Sequence, residues 1–260
     1  MNLAPLLAFT SDLAYRAGRL TLGYFQTGLR PDFKADDSPV TAADRAAEEF
    51  IRGEIEKNYP GHAIVGEEFG ASAGESSGAS HRWIIDPIDG TKSFMRGIPL
   101  YGVLIGLEID GEIRVGAAYY PGTDELLCAA DGLGAWWNGR RAHVSEQADL
   151  KRAYVCYTNV RNMAKYGRGA AWERLNAATY AARGWSDAYG YLAVATGRAE
   201  VMLDPIMNVW DCGPFPVIFR EAGGFFGSWS GIPSHTHNEA LACNAALLPD
   251  ILALLQPLAD

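Results

Sequence analysis

Apolar residues recur at helical spacing near the start of the chain. Leu6, Phe9, Leu13, Ala17, Leu20 and Tyr24 predict one amphipathic helix over residues 4–27. A second helix is predicted over 42–58, with Ala43, Ala46, Ala47, Phe50, Ile51 and Ile55 on its inner face. The polar stretch RPDFKADDSPV connects the two, and ASAGESSGASHR at 71–82 reads as a mobile loop of small residues. The period then shortens. YGVLIGLEI and EIRVGAAYY flank Asp110-Gly111, a hairpin signal because Gly tolerates positive φ. Short strands and turns continue through PGTDELLCAADGLGAWWNGR, and another strand is predicted at 153–158. Residues 169–182 and 187–197 read as helical, and AEVMLD reads as a strand leading to Trp210-Asp211. A helix is expected after Asp211, then a strand at ALACN and a helix near 249–257. Such mixed blocks, with no internal repeat, predict an α/β (α+β) fold of packed layers. Residues 1–260 are expected to form a single domain of two intimately packed halves, roughly 1–150 and 151–260.

Charge narrows the partners. The formal net charge is −9 and no basic block is present, which argues against nucleic acid. An anionic substrate stays open, because bound divalent cations can reverse the local field. No segment approaches the ~20 apolar residues needed to cross a bilayer. The N-terminal stretch lacks a basic region, carries Asp12 early and has no clear cleavage site, so it reads as a helix rather than a signal peptide. Cys128, Cys156, Cys212 and Cys243 lack metal-type spacing, and a cytoplasmic protein with free thiols is expected.

The candidate chemistry is carboxylate-rich. Residues 83–94 read WIIDPIDGTKSF: three apolar residues run into Asp86 and Asp89, whose burial without partners costs several kcal/mol, so a positive partner is expected. Pro87 fixes the turn so that both carboxylates can point the same way. Asp44 in VTAADR, Glu67 and Glu68 in VGEEFG, and Asp211 in VWDCG complete the set. Carboxylates without His or Cys suit a hard cation, Mg²⁺ rather than Zn²⁺, with Mn²⁺ as a possible substitute. Gly90 and Thr91 could offer backbone N–H groups and a hydroxyl to a phosphate at a helix start. Each acid also has a purely structural account. Thr41 to Asp44 is a capping-box pattern, Asp211 could cap the helix after it, and Glu67 and Glu68 could be solvated loop charges.

The segments GEE at 66–68, WIIDPIDGT at 83–91 and WD at 210–211 resemble, in order and spacing, the three signature motifs of the inositol monophosphatase superfamily. KADDSPVTAAD upstream and EAGG at 221–224 match as well, so the resemblance covers nearly the whole chain. It implies a layered αβαβα sandwich, Mg²⁺-dependent hydrolysis of small phosphate monoesters, and a homodimer. Carried over by position, Glu67, Asp86 and the carbonyl of Ile88 would hold one metal. Asp86, Asp89 and Asp211 would hold a second. Thr91 and Asp44 match the pair that orients or deprotonates the attacking water, and Gly90 and Thr91 match the phosphate-binding amides.

Within the superfamily the chain is most similar to the bacterial histidinol-phosphate phosphatase branch, through GTKSF, RGWSDAYGYLAVATGRAE at 183–200 and LDPIMNVWD at 203–211. Asp187 and Asp204 then match acids that face the polar end of the substrate. Asp187 could equally cap a helix, and Asp204 could be a turn residue beside Pro205. Trp185, Tyr189 and Tyr191 could stack on an imidazole or belong to the core. Inositol monophosphate, a sugar or nucleotide bisphosphate, or a non-catalytic binding role are the alternatives. Pro216 is expected to kink or delay the helix after Asp211, and Lys92 carries no assigned role.

Overall fold

Helices α1 (Ala4–Leu22) and α2 (Ala42–Asn58) form where apolar positions repeat along one face, burying Leu6, Leu13, Ala14 and Ala17 on one and Ala43, Ala47, Ile51 and Ile55 on the other. The computed structural model describes residues 1–35, 38–72 and 80–256. Helix α1 stops at Leu22, short of the predicted residue 27, because the chain reverses through Gln26 and Gly28, both at positive φ. Between the helices, β1 (Asp32–Phe33) and β2 (Pro39–Val40) pair antiparallel. The predicted mobile loop falls mainly on residues 73–79, which lie outside the described residues, and its last two residues, His81 and Arg82, are already strand.

The first large sheet comprises β3 (Ala63–Gly66), β4 (Gly70–Ala71), β5 (His81–Asp89), β6 (Gly102–Ile109), β7 (Glu112–Tyr120), β8 (Glu125–Ala130), β9 (Gly134–Trp137) and β10 (Arg140–Arg141), with α3 (Thr91–Met95) between β5 and β6. Its order is β10-β9-β8-β7-β6-β5-β3-β4. The β6–β7 turn holds Asp110 at φ 52 and Gly111 at φ 86, as the Asp-Gly signal predicts.

The second half supplies β11 (Tyr154–Tyr157), α4 (Val160–Lys165), α5 (Gly169–Ala178), β12 (Ala181–Arg183), α6 (Tyr189–Ala195) and β13 (Val201–Asp204). It continues with α7 (Val209–Cys212), α8 (Phe215–Ala222), β14 (Gly224–Gly227), β15 (Ala240–Asn244) and α9 (Leu248–Leu255). The second sheet runs β12-β11-β13-β15-β14. Two expectations need correction. The helix predicted over 169–182 ends at Ala178, because Ala181–Arg183 pairs in parallel with β11 as an edge strand. The helix predicted over 187–197 is confined to Tyr189–Ala195.

Stacked in order, α1 and α2, the first sheet, α6 and α8, the second sheet, and α5 with α9 make a layered αβαβα sandwich. The middle core joins Ile84, Leu104 and Tyr120 of the first sheet to Met202, Phe226 and Ala242 of the second, around Tyr191, Phe215 and Phe219. The cysteines are free thiols. No helix of the described residues is long and apolar enough to cross a membrane.

Candidate active site

A break in the β5–β6 ladder brings the first two carboxylates together. Asp86 pairs with Leu104 and Asp89 with Gly102, so three steps along β5 oppose two along β6. In a regular strand, residues three apart face opposite sides, and one extra residue restores the same side. Pro87, lacking an N–H, sits inside this bulge. Trp83, Ile84 and Ile85 just before it are fully buried, as the apolar run predicts. Two backbone donors aim the carboxylates: Ile88 N–H donates to Asp86 Oδ1 at 3.0 Å, and Ala188 N–H donates to Asp89 Oδ1 at 2.6 Å.

Asp211 reaches the same place from the other half. It is the third residue of α7, where Asn208 N–H donates to Asp211 Oδ2 at 2.8 Å and closes a capping box. Pro214 caps α8 and Pro216 lies in its first turn, so the expected interruption appears as two helices, α7 and α8. The elbow between them lies on glycines of the first sheet. A Cβ at Gly106 would stand 2.2 Å from the Gly213 carbonyl oxygen, and one at Gly116 would stand 2.5 Å from that of Pro214. Asp86, Asp89 and Asp211 each offer a carboxylate oxygen within 4.8 Å of the others.

Thr91 opens α3 behind Gly90, whose φ of 88 is left-handed. The Thr91 hydroxyl has Ile88 O at 3.0 Å and Asp44 Oδ1 at 3.2 Å as acceptors. Asp44 also accepts from the Thr41 N–H at 2.8 Å and the Thr41 hydroxyl at 2.5 Å, so it caps α2 and holds Thr91 at once. The capping account of Asp44 therefore holds, and the same carboxylate is in contact with Thr91. Glu67 and Glu68 are not simply solvated charges. Lys34 Nζ lies 2.9 Å from Glu67 Oε1 and 2.9 Å from Glu68 Oε1.

The cleft of about 220 Å³ gathers Glu67, Asp86, Ile88, Asp89, Gly90, Thr91, Asp187, Asp204 and Asp211, every predicted site residue except Asp44, which lies behind Thr91. Asp187 does not start a helix, since α6 begins at Tyr189. Its carboxylate accepts from Ser186 Oγ at 3.3 Å, and Ser186 is tied to Ser93 of α3 at 2.6 Å. Asp204 ends β13 with both oxygens engaged, by the Thr158 hydroxyl and by Tyr191 OH at 2.9 Å. Trp185 is exposed, Tyr189 donates to Glu125, and Tyr191 stacks on Phe215. Of the three, Tyr191 lines the cleft, and Trp185 and Tyr189 do not. Thr158, Asn162, Ile206 and Met207 line the cleft without having been predicted. Their one sequence signal is Asn159, a helix cap directly after a predicted strand.

Crowding sets the electrostatics. Burial pushes the Glu67 carboxyl up to about 7, against the pull of Lys34. Burial also raises Asp211 to about 6, and it raises Asp86 and Asp89 well above the usual carboxylate range, reinforced by neighbouring acids. Asp187 is raised by burial and held back by the nearby Lys92 charge, which gives that lysine an electrostatic partner. Oxygen donors converging from three carboxylates, two of them buried, with no His or Cys in the group among the described residues, fit a hard divalent cation.

A layered αβαβα fold with such a carboxylate cluster beside a helix-opening Gly-Thr defines a metal-dependent phosphoric monoester hydrolase. The chain belongs to the inositol monophosphatase family, whose family profile matches residues 2–258. It is similar to a histidinol-phosphatase of Chlorobaculum parvum, 40% identical over 255 residues that cover 97% of each chain. An inositol-1-monophosphatase of Mesorhizobium japonicum is 35% identical over 241 residues, 89% of this chain and 88% of that one. The crystal structure of the extragenic suppressor protein suhB from Bartonella henselae superposes with a TM-score of 0.90 at 28% identity, covering 98% of this chain and 100% of that one.

Proposed function

We propose that the protein is a Mg²⁺-dependent phosphatase that hydrolyses L-histidinol phosphate to L-histidinol and phosphate. The carrying observation is one cleft lined by both the Asp86–Asp89–Asp211 cluster and the Asp187 carboxylate, whose charge acts on Asp89 and Asp211. Asp86, Glu67 and the Ile88 carbonyl would hold one cation, and Asp86, Asp89 and Asp211 a second. When bound, the cations supply Lewis acidity that makes water acidic near neutral pH and offsets negative charge gathering at phosphorus.

The chain's own groups do the rest. The Thr91 hydroxyl, within reach of both the Ile88 carbonyl and Asp44 Oδ1, would turn its proton to Asp44 and keep its lone pairs for a water proton. Burial raises the Asp44 carboxyl, which makes it a better proton acceptor. The N–H groups of Gly90 and Thr91 precede the first intrahelical bond, Phe94 N–H to Gly90 O, and are available to phosphoryl oxygens. Lys34 ion-pairs with both Glu67 and Glu68 and holds them in place.

The substrate choice rests on charge. L-Histidinol phosphate carries an ammonium group, and Asp187 is a carboxylate lining the cleft with no ion-pair partner within 4 Å among the described residues. The similarity to a protein named histidinol-phosphatase supports the same choice. The second reading, inositol 1-phosphate hydrolysis, is favoured by the Mesorhizobium relative's name. A kcat/KM comparison on purified enzyme with Mg²⁺ separates them. Higher kcat/KM on L-histidinol phosphate is expected, and a tenfold preference for inositol 1-phosphate overturns the proposal.

A further inference from the structure

The cleft has a second wall that the phosphate chemistry does not use. Thr158 and Asn162 follow β11, and Ile206 and Met207 follow β13. Strands β11 and β13 are parallel neighbours, so both connections leave the same edge of the second sheet. The carboxylate cluster and Thr91 stand mainly on the first sheet and α3. An ester whose phosphorus lies at the cluster therefore extends its alcohol toward this wall or into solvent.

The wall's polar groups are nearly all spent. Both Asp204 oxygens accept, from Thr158 and Tyr191, and the Thr158 proton is committed to that bond. The exception is Asn162. Asn162 lines the cleft, and its side-chain amide makes no hydrogen bond among the described residues. It is not needed as a cap, because Asn159 already accepts from Arg161 N–H at 2.9 Å at the start of α4. In the same cleft, Ile206 and the buried Met207 give an apolar surface.

We infer that Asn162 is a specificity-determining residue: its amide reads the nitrogen edge of the substrate's imidazole while Ile206 and Met207 carry the ring face. An amide both donates and accepts, which matches an imidazole with one N–H and one bare nitrogen. A thioether against an aromatic ring is favourable as well. A polyol has hydroxyls around its whole rim, and an apolar shelf would leave some of them unpaired. This inference rests on the proposed substrate, and the test separates the two.

The experiment compares wild type, Asn162→Ala and Asn162→Leu on L-histidinol phosphate, inositol 1-phosphate and glycerol 2-phosphate, with product inhibition by L-histidinol and by phosphate. Losing two neutral hydrogen bonds is expected to lower kcat/KM on L-histidinol phosphate by roughly ten- to a hundredfold, mostly through KM. The inhibition constant of L-histidinol should rise by a similar factor, with glycerol 2-phosphate turnover and phosphate inhibition within about twofold of wild type. Equal losses on all three esters, or unchanged L-histidinol inhibition, overturn the role of Asn162 and leave the substrate assignment standing. A wild type that prefers inositol 1-phosphate overturns the substrate assignment and, with it, imidazole reading by Asn162.

Discussion

Thr91 Oγ1 lies 3.2 Å from Asp44 Oδ1, within hydrogen-bonding reach across 47 residues of chain, and brings the first residue of α3 to the first turn of α2. The same carboxylate caps α2 through Thr41. Asp44→Asn should separate these roles, since Asn can accept both capping bonds and lacks the charge. The expected outcome is a fall in kcat of about 10²–10⁴ with little change in melting temperature. Asp44→Ala should lose similar activity and also about 1–2 kcal/mol of stability, with the cap gone. Steady-state kinetics and thermal melts on the two variants check this.

Asp89→Asn keeps a carbonyl oxygen for the Ala188 N–H. It also removes one charge from a cluster in which buried carboxylates repel one another. Turnover should fall by at least ~10²–10³, while the metal-free protein melts no lower than wild type and its stabilisation by Mg²⁺ shrinks. Near-normal Mg²⁺-dependent turnover would contradict the ligand assignment.

The pH dependence follows from the same crowding. Glu67 is raised to about 7 and Asp211 to about 6, so the folded chain binds these protons more tightly than the unfolded chain does. Their contribution to stability is full below the unfolded carboxyl values and is lost as pH rises through 6 and 7. Metal-free protein should therefore melt higher at pH 5.5 than at pH 7.5, on the order of a few degrees. Mg²⁺ at ~100 times its dissociation constant should add about 2.7 kcal/mol at the upper pH and reverse the trend. Calorimetry with and without chelator tests both signs.

Gly106→Ala probes the support of Asp211 from outside the site. Its methyl would meet the Gly213 carbonyl at 2.2 Å, and this is backbone that cannot rotate away. The elbow after α7 must shift, which should cost about 1–3 kcal/mol and weaken Mg²⁺ affinity as Asp211 moves from Asp86 and Asp89. Titration with Mg²⁺, monitored by activity, should show a higher half-saturation point than in wild type.

The helices α1 and α2 and the β6–β7 hairpin were legible because local periodicity and turn chemistry alone specify them. The ends of α1 and α5 were not. Helix α1 stops where the chain turns back at Gln26, and Ala181–Arg183 leaves helical character for a partner strand distant in sequence. Helix α4 escaped notice because six residues carry too little periodicity to register. The metal-ligand candidates were legible by type and motif, and so was the pairing of Asp44 with Thr91, whereas their 3.2 Å contact is a matter of tertiary structure. Asp187 and Asp204 looked alike in the sequence. The fold separates them, since the Thr158 and Tyr191 hydroxyls take both oxygens of Asp204, while Asp187 is held by Ser186, its own backbone N–H and the Lys92 charge.

By itself the sequence determined the kinds of group present and the strands and helices that carry them, because hydrophobic period, capping and turn preference act over a few residues. The tertiary structure decided which groups share space. The β5 bulge turned Asp86 and Asp89 to one side, the Gly106–Gly213 contact brought Asp211 to them, and the edge shared by β11 and β13 set Asn162 in the same cleft. Those relationships join residues far apart along the chain. Strand register and close backbone contact fix them, and neither is written in any local stretch.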